Sequence, residues 1–502
     1  MAITLGLVEA IDSNGVYVSM PGSRGVLRGP YLTLQDVAVG DRVLTVTTDD
    51  GENVVAGPVG PSLAQLNVRD YGAVGDGVTD DTAAIQSALD AADALGANSG
   101  GTGGARGVTV YFPRGTYRIT AALDPITKDN IYLVGDSPAS AQLNLPDGVT
   151  AFTWDGTAPS HGGGMANLRL YYPAGASSST VAVKVGFAAD WSLRDCSVMN
   201  PVRLLTLGGS SDVAYGVSIS GCRISGRSNV AVPMIDAVDC NGLRVFNTTA
   251  VAYPPTGPAF PTGTDTHHAT NGRDFIKVTR LDTLDVSFSM FYGFDRGVHL
   301  APGSGQVAQN VTLVAAWIDM CKRGGLALLP TSGGVVAGIY TSECFFCATD
   351  GAGVDATAAS GASILTLSLN GPQIVYCGTD GLKLSGTVND VTMLGGSIQL
   401  VNRLGAGGYV LNIDDTGTKT GLKFVAAQLG GDGTAHSATC TATDTHPGST
   451  SAASARYVAC QTSGGTVTSL VPDITGSRGG NAALASLLTG LETAGYITDS
   501  TT

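Results

Sequence analysis

The chain has 502 residues, a formal net charge of −14 and only 14% charged residues, while glycine occupies 70 positions. This length exceeds a usual single domain and predicts either several domains or one elongated repeat. The acidic balance argues against nucleic-acid binding, which needs a concentrated basic surface, and the glycine-rich, glutamate-poor composition disfavours a helical protein. We predict a mainly β protein whose acidic surface suits a neutral or sugar-like ligand.

The sequence carries no signal for secretion or for membrane insertion. The first residues lack a basic stretch followed by an apolar core, and no apolar run approaches the roughly 18 residues that span a bilayer. Nine cysteines do not resemble a small disulfide framework. Cys344 and Cys347 have the spacing of a zinc-ligand pair, but no second pair follows. Buried free thiols and no cofactor are therefore expected, with a structural divalent cation left open.

Residues 1–60 read as a small β module. Gly15–Met20 and Asp41–Thr48 alternate between polar and apolar residues, and the stretch Pro21–Gly25 is typical of a turn. Four or five short strands predict a small barrel, for which an OB-like form is one option. A module of this size at the start of the chain favours attachment over chemistry, and Gly57–Ser62 is the predicted linker to the rest.

The stretch Asp70–Leu89 concentrates Asp76, Asp80 and Asp81 in a glycine-rich turn. Three carboxylates so close together could bind a metal, activate a water molecule or start a helix. The EF-hand pattern does not fit, because no glutamate follows at the required distance. Helix capping is the favoured interpretation, because the residues that follow recur at helical spacing. These residues are Ala84, Ile85, Ala88, Leu89 and Ala92.

From about residue 165 the chain repeats at a loose period in the twenties. The clearest copies begin at Cys321, Cys347 and Cys377, and in each a glycine follows four residues later. A unit of two or three short strands cannot bury its own apolar face, but stacked units can, which predicts a parallel β-helix solenoid. Equivalent positions would lie about 4.8 Å apart on neighbouring rungs. The three cysteines are accordingly predicted to form one inward column.

The stretch Asn67–Gln86, continued by Val108–Ile119 and Ile131–Asp136, resembles the start of the domain in pectate-lyase-like right-handed β-helix proteins. With the repeats, the resemblance covers roughly residues 65–460. It implies an all-β, right-handed parallel β-helix with a helix cap at its N-terminal end. Such domains occur in pectin-degrading enzymes, phage tailspikes and capsule depolymerases.

The C-terminal stretch Pro472–Leu491 is similar to C-terminal segments of tail proteins from phages of actinobacteria. It is predicted to form a short helix with a leucine stripe. The resemblance to phage tailspikes implies a homotrimer in the virion tail, assembled in the host cytoplasm and recognising a host surface glycan. It also implies that the N-terminal module binds a tail or baseplate protein, and it offers no reason to expect nucleic-acid binding.

These observations divide the chain into four parts. Residues 1–60 are the predicted attachment module, and residues 61–165 begin the β-helix and carry its capping helix. Residues 166–470 form the solenoid, and residues 471–502 form the C-terminal helical segment.

Asp350 and Asp380 occupy matched places in two copies of the repeat and are the predicted catalytic pair. Glycan hydrolysis commonly uses two carboxylates about 5–5.5 Å or roughly 6.5–9.5 Å apart, and neighbouring rungs offer the first of these separations. The same Thr-Asp-Gly sequence is also typical of a turn in which the aspartate bonds local backbone. Glu343, the only glutamate of the solenoid, is the alternative candidate for an acid.

The polygalacturonase motifs of this superfamily do not occur in order, which puts pectinolytic chemistry in doubt without excluding a depolymerase. A loop between Tyr253 and Arg273 interrupts the repeat and could bind a glycan or a neighbouring chain, hold a metal or be a plain surface loop. Its candidate residues are Asp265, His267, His268 and Arg273. Three functions stay open at this point: a depolymerase, a non-enzymatic receptor-binding protein and a structural tail component.

Overall fold

The computed structural model describes residues 2–12, 15–19, 27–33, 42–47, 53–58, 64–96, 107–155, 160–173, 177–209, 212–227, 230–253, 272–348, 350–401, 408–413, 417–425, 428–429, 456–458, 461–462, 473–476 and 498–501. The predicted C-terminal helix and its leucine stripe lie outside these residues. Within them, no helix is long and apolar enough to cross a membrane.

The N-terminal module is a closed five-stranded barrel. Neighbouring strands pair antiparallel except for the third and the fifth, which pair parallel. This confirms the small β-barrel predicted from the alternating sequence, in the strand number of OB-like modules. Its strands are Ala2–Asp12, Gly15–Ser19, Leu27–Thr33, Arg42–Thr47 and Asn53–Pro58.

The rest of the described chain winds into a parallel β-helix with three sheets, which confirms the predicted solenoid. The chain visits sheet 1, sheet 2 and sheet 3 in turn, and each strand pairs with its counterpart one rung away. Sheet 1 consists of Ala64–Asn67, Val108–Phe112, Ile131–Gly135, Gly164–Ala166, Ser192–Arg194, Val217–Ser220, Leu243–Phe246, Leu284–Ser287, Val307–Val314, Val335–Ser342, Ser363–Asn370, Val388–Leu394, Lys419–Thr420, Lys423–Val425 and Arg456–Val458.

Sheets 2 and 3 complete the three faces of the solenoid. Sheet 2 consists of Asp76–Asp80, Gly115–Arg118, Ala141–Asn144, Arg169–Tyr171, Ser197–Met199, Arg223–Arg227, Thr249–Tyr253, Met290–Tyr292, Trp317–Cys321, Phe345–Ala348, Gln373–Val375, Ser397–Gln399, Gln428–Leu429 and Gln461–Thr462. Sheet 3 consists of Thr150–Trp154, Val181–Val185, Arg203–Leu207, Ile235–Ala237, Ile276–Val278, Arg296–Leu300, Gly324–Leu328, Ala352–Thr357, Leu382–Ser385 and Leu411–Ile413. Two further pairs join Ser160–His161 to Ala188–Ala189 and Asp473–Gly476 to Thr498–Thr501.

A single α-helix in the described chain, Thr82–Leu95, packs on the first strands, after a 3-10 turn at Val68–Tyr71. Four residues of the predicted stripe are buried, namely Ile85, Ala88, Leu89 and Ala92, and the fifth, Ala84, is partly buried.

The three aspartates before the helix differ in role from the prediction. Asp81 occupies the N-cap position, but its carboxylate makes no capping bond. It is buried instead and accepts hydrogen bonds from the backbone N–H groups of Val74 at 2.7 Å and Arg118 at 3.2 Å. Asp80 accepts from the Thr82 N–H at 3.0 Å. The cluster therefore ties the first turn of the β-helix to the second as well as starting the helix.

The register of the strands corrects the predicted cysteine column. Cys321 pairs with Ala348 rather than with Cys347, and Cys347 pairs with Val375 rather than with Cys377. The strand ladder repeats every 28 residues here, whereas matching the cysteines of the last two copies required 30. Hydrogen bonding between rungs sets the register, and the cysteine pattern does not follow it.

A genuine column of small residues runs along the short corner between sheets 1 and 2. Each member lies inside the corner, and all but the alanine donate a side-chain hydrogen bond to the carbonyl oxygen two residues earlier. These bonds satisfy polar groups that would otherwise be buried without partners. The members, on successive rungs, are Cys196, Cys222, Thr248, Ser289, Ala316 and Cys344.

Candidate functional site

The strand register separates the predicted catalytic pair. Val354 pairs with Leu382, which places Asp380 beside Ala352 and two positions away from Asp350. The premise that Asp350 and Asp380 share one column is therefore corrected. Their assignment as catalytic residues stays a prediction.

Glu343 lies on the corner between sheets 1 and 2 and is exposed. Its backbone adopts φ of 53°, in the left-handed region that non-glycine residues seldom occupy. The corresponding corner residues on the two preceding rungs, Phe288 and Ala315, have φ of 50° and 46°. Its place is thus set by the corner that every rung shares, and its role as an acid stays a prediction.

The interrupting loop lengthens its rung as expected. Leu243 pairs with Leu284, 41 residues later, whereas Val217 pairs with Leu243 after 26. Asp265, His267 and His268 lie outside the described residues. Arg273 is fully buried, and its guanidinium donates to the carbonyl oxygens of Pro201, Val202 and Val232, so it anchors the end of the loop.

The outer face of sheet 3 carries a cleft lined by charged residues. Its volume is about 400 Å³. Both cationic and anionic side chains line it, together with amide and hydroxyl groups and the backbone of three small residues. The lining consists of Arg296, Arg323, Gly351, Ala352, Asp355, Thr379, Asp380, Lys383, Gly408 and Asn412.

Asp380 forms one wall of this cleft and is only 5% exposed. Its two oxygens accept hydrogen bonds from the Tyr409 backbone N–H at 2.8 Å and from the Asn412 side-chain amide at 2.9 Å. Burial raises the pKa of Asp380 above its ordinary value, and the charge of Asp355 acts in the same direction. A carboxyl group with a raised pKa beside a second carboxylate has the environment of a general acid.

Two arginines of the cleft are held by Asp295, which is fully buried. Its carboxylate accepts from the Gly272 backbone N–H at 2.6 Å, from Arg323 Nε at 2.9 Å and from Arg296 Nη1 at 3.3 Å. A second guanidinium nitrogen of Arg323 also contacts it, which completes a two-pronged pairing. Asp295 thus fixes two arginines on neighbouring rungs at the edge of the cleft.

An aspartate–histidine pair stands next to these arginines. The buried Asp274 contacts His299, with 2.7 Å between Oδ2 and Nδ1, and Arg296 Nη1 lies 3.5 Å from the other carboxylate oxygen. The carboxylate oxygen and the ring nitrogen are within hydrogen-bond distance, so the pair fixes the orientation of the imidazole ring. Sequence reasoning did not single out Asp274, Arg296, His299 or Arg323.

Among the described residues, no group of three or more His, Cys, Asp or Glu side chains is arranged to hold a metal ion. The seven described cysteines, Cys344 and Cys347 among them, are buried free thiols. Burial raises the pKa of Cys222 to about 11 and that of Cys240 to about 12. These thiols accordingly pack as small apolar groups.

Residues 65–170 match the family described as rhamnogalacturonase A/epimerase, pectate lyase-like. The match covers the capping helix and the first turns of the solenoid. Two curated relatives from Azotobacter vinelandii match stretches of similar length. Mannuronan C5-epimerase AlgE5 is 44% identical over 94 residues, which is 18% of this chain and 8% of the relative. Alginate lyase 7 is 41% identical over 96 residues, which is 18% of this chain and 10% of the relative.

This chain therefore matches only a small part of the length of each of these relatives. Among solved structures, tailspike protein 3 of bacteriophage CBA120 is 15% identical to this chain, with a TM-score of 0.48. That alignment covers 83% of this chain and 64% of the tailspike.

Proposed function

We propose that this chain is a phage tail spike or tail fibre protein that binds a bacterial surface polysaccharide in the cleft on sheet 3. The observation that carries the proposal is the cleft itself, in which donors of Lys383 and Asn412 lie beside acceptors of Asp355 and Asp380 on a rigid sheet. Fixed polar groups of both kinds are what a ligand rich in hydroxyl groups requires.

Three further features support this proposal. The curated relatives are named for mannuronan and alginate, which are polysaccharides. The closed barrel of residues 1–60 is suited to attachment to a tail or baseplate protein. The sequence resemblance of the C-terminal stretch is to phage tail proteins, and the proposed assembly is a homotrimer in the virion.

The test is whether the purified full chain binds alginate and host cell-wall polysaccharide, measured by affinity electrophoresis. Lys383→Ala is expected to weaken binding about tenfold, because a charge-assisted hydrogen bond is lost. Lys423→Ala is the matched control, since Lys423 is an exposed lysine of sheet 1 and its loss should change nothing. Failure of the intact chain to bind any polysaccharide would overturn the proposal.

Glycan cleavage is a second candidate function, favoured by the raised pKa of Asp380 beside Asp355. In hydrolysis, protonated Asp380 would donate to the oxygen of the leaving sugar, while the Asp355 carboxylate would activate water or attack the anomeric carbon. Asp380→Asn should then abolish the release of reducing ends while binding is kept. Continued release by that variant would remove Asp380 from the mechanism, and binding without any product would leave a non-enzymatic receptor-binding protein.

A further inference from the structure

A single outward column of sheet 2 carries an isolated aromatic patch. Over ten consecutive rungs, seven members of this column are polar. Its three apolar members, Met290, Trp317 and Phe345, stand on consecutive rungs. In order, the column consists of Gln142, Arg169, Ser197, Arg223, Thr249, Met290, Trp317, Phe345, Gln373 and Ser397.

The rings of this patch are exposed and held in place. Trp317 is 50% exposed and Met290 is 37% exposed. The centroids of Trp317 and Phe345 lie 4.7 Å apart with 35° between the ring planes, so the two rings pack against each other across neighbouring rungs. The indole N–H of Trp317 donates to Asp319 Oδ2 at 3.3 Å, which holds one edge of the ring.

We propose that Met290, Trp317 and Phe345 form a stacking platform for sugar rings, a second polysaccharide-binding site separate from the cleft on sheet 3. The proposal rests on the proposed function, because the ligand is the same class of polysaccharide. An aromatic face is electron-rich, and the C–H groups of a pyranose face are weakly positive, so the two attract each other. Asp319 and Gln373 stand at the rim, where they can meet the hydroxyl groups of the sugar.

The size of the patch favours a glycan over a protein partner. Two rung steps span about 10 Å, which suits a short run of sugar rings. Phe246 and Phe288 pair edge to face around the corner, with 5.9 Å between their centroids, and they extend the apolar surface toward sheet 1. Even with them, four exposed side chains and the partly exposed Phe345 offer on the order of 400–500 Å², whereas a stable protein interface uses about 800 Å² per partner.

The tryptophans of the chain allow a direct measurement. There are three, and Trp154 and Trp191 are both fully buried, so a change in solvent access reports on Trp317. The full-length protein is titrated with an alginate hexasaccharide and, separately, with cellohexaose, while emission and acrylamide quenching are followed. Binding should shift the emission to the blue and protect the fluorophore from quenching.

Substitutions then locate the site by saturation-transfer NMR on the same hexasaccharides. Trp317→Ala is expected to weaken binding about tenfold, and Trp317→Phe, which keeps an aromatic face, by less than about threefold. Tyr340→Ala is the matched control, because Tyr340 is 49% exposed on sheet 1. Circular dichroism establishes that each variant is folded.

The outcomes separate this inference from the proposed function. If Lys383→Ala abolishes binding and Trp317→Ala does not, the platform is wrong and the cleft stands. If Trp317→Ala abolishes binding and Lys383→Ala does not, the platform stands and the cleft is wrong. A change of oligomeric state in Trp317→Ala, measured by sedimentation, would make the patch an interface between copies and overturn the inference. Absence of binding of both hexasaccharides would overturn it as well.

Discussion

Replacement of Asp295 by alanine should destabilise the solenoid more than any other single removal of a carboxylate near the cleft. Asp295 has no exposed surface and accepts from the Gly272 N–H and from two arginines. Its loss leaves the Gly272 N–H without this acceptor and removes one of the two carboxylates that face Arg296, whose side chain is only 11% exposed.

The size of the effect follows from how much of this network can reach water. Breaking a buried ion pair by removal of one partner costs about 3–5 kcal/mol. Arg323 is 39% exposed and can turn toward solvent, which reduces the loss, whereas Arg296 and the Gly272 N–H cannot do so as readily. We therefore expect the free energy of unfolding to fall by about 3 kcal/mol, toward the lower end of that range.

The assay is urea unfolding followed by circular dichroism, with hydrogen exchange to locate the loss. Rungs of a solenoid are stabilised by their neighbours, so amides of the rungs that contain residues 272–300 should lose protection first. Asp282→Ala is the matched control, because Asp282 is exposed and its carboxylate accepts a hydrogen bond from the Gln309 side chain at the surface. The control should cost less than about 1 kcal/mol.

A loss below about 1 kcal/mol for Asp295→Ala would refute the reasoning, because it would mean that the network behaves like a solvent-exposed ion pair. An equal loss in Asp282→Ala would refute it too, since burial would then not be the cause.

Three further predictions concern other parts of the solenoid. Since burial raises the pKa of Asp380, the folded chain keeps a proton that the unfolded chain releases as pH rises above about 4. Urea titrations should therefore show the wild type losing stability relative to Asp380→Asn over that pH range. A difference in unfolding free energy that does not change with pH would contradict this. Gly208→Ala should lower the melting temperature more than Gly305→Ala: both have positive φ, but a Cβ on Gly208 would overlap the carbonyl oxygen of Asp239, while none lies near Gly305. Mass spectrometry after iodoacetamide treatment of the native protein at pH 8 should find Cys222 unmodified, because its thiol is buried and its pKa is raised to about 11; rapid labelling would show that this corner opens.

The start of the β-helix was predictable because its signals are local. The stripe Ile85, Ala88, Leu89 and Ala92 has helical spacing, and the strands that follow have the alternation of half-buried β structure. The barrel was predictable for the same reason, since turns and alternating strands lie within a few residues of one another. The roles of Asp80 and Asp81 were harder, because their partners include Thr120 and Arg118, almost forty residues away.

The cleft depends on register, which single-sequence patterns determine poorly. Asp274 and Arg296 face each other across rungs although 22 residues separate them, while Asp355 and Lys383 pair after 28. Loops of different length between strands produce these unequal intervals, so no fixed period brings the charged residues together. Matching the cysteines aligns Asp380 with Asp350. The strand ladder sets the register instead, and it places Asp380 beside Ala352.

The two successive 28-residue intervals in sheet 1 have a consequence for how such a rod can change length. Val307 pairs with Val335 and Val335 with Ser363, so residues 335–362 form one complete winding. Duplication or deletion of this winding in the gene would add or remove about 4.8 Å of rod without a shift of any strand that remains. The same deletion would bring Gln373 against Trp317 in place of the Phe345 ring. A change in the length of the rod would therefore also change the aromatic patch on sheet 2.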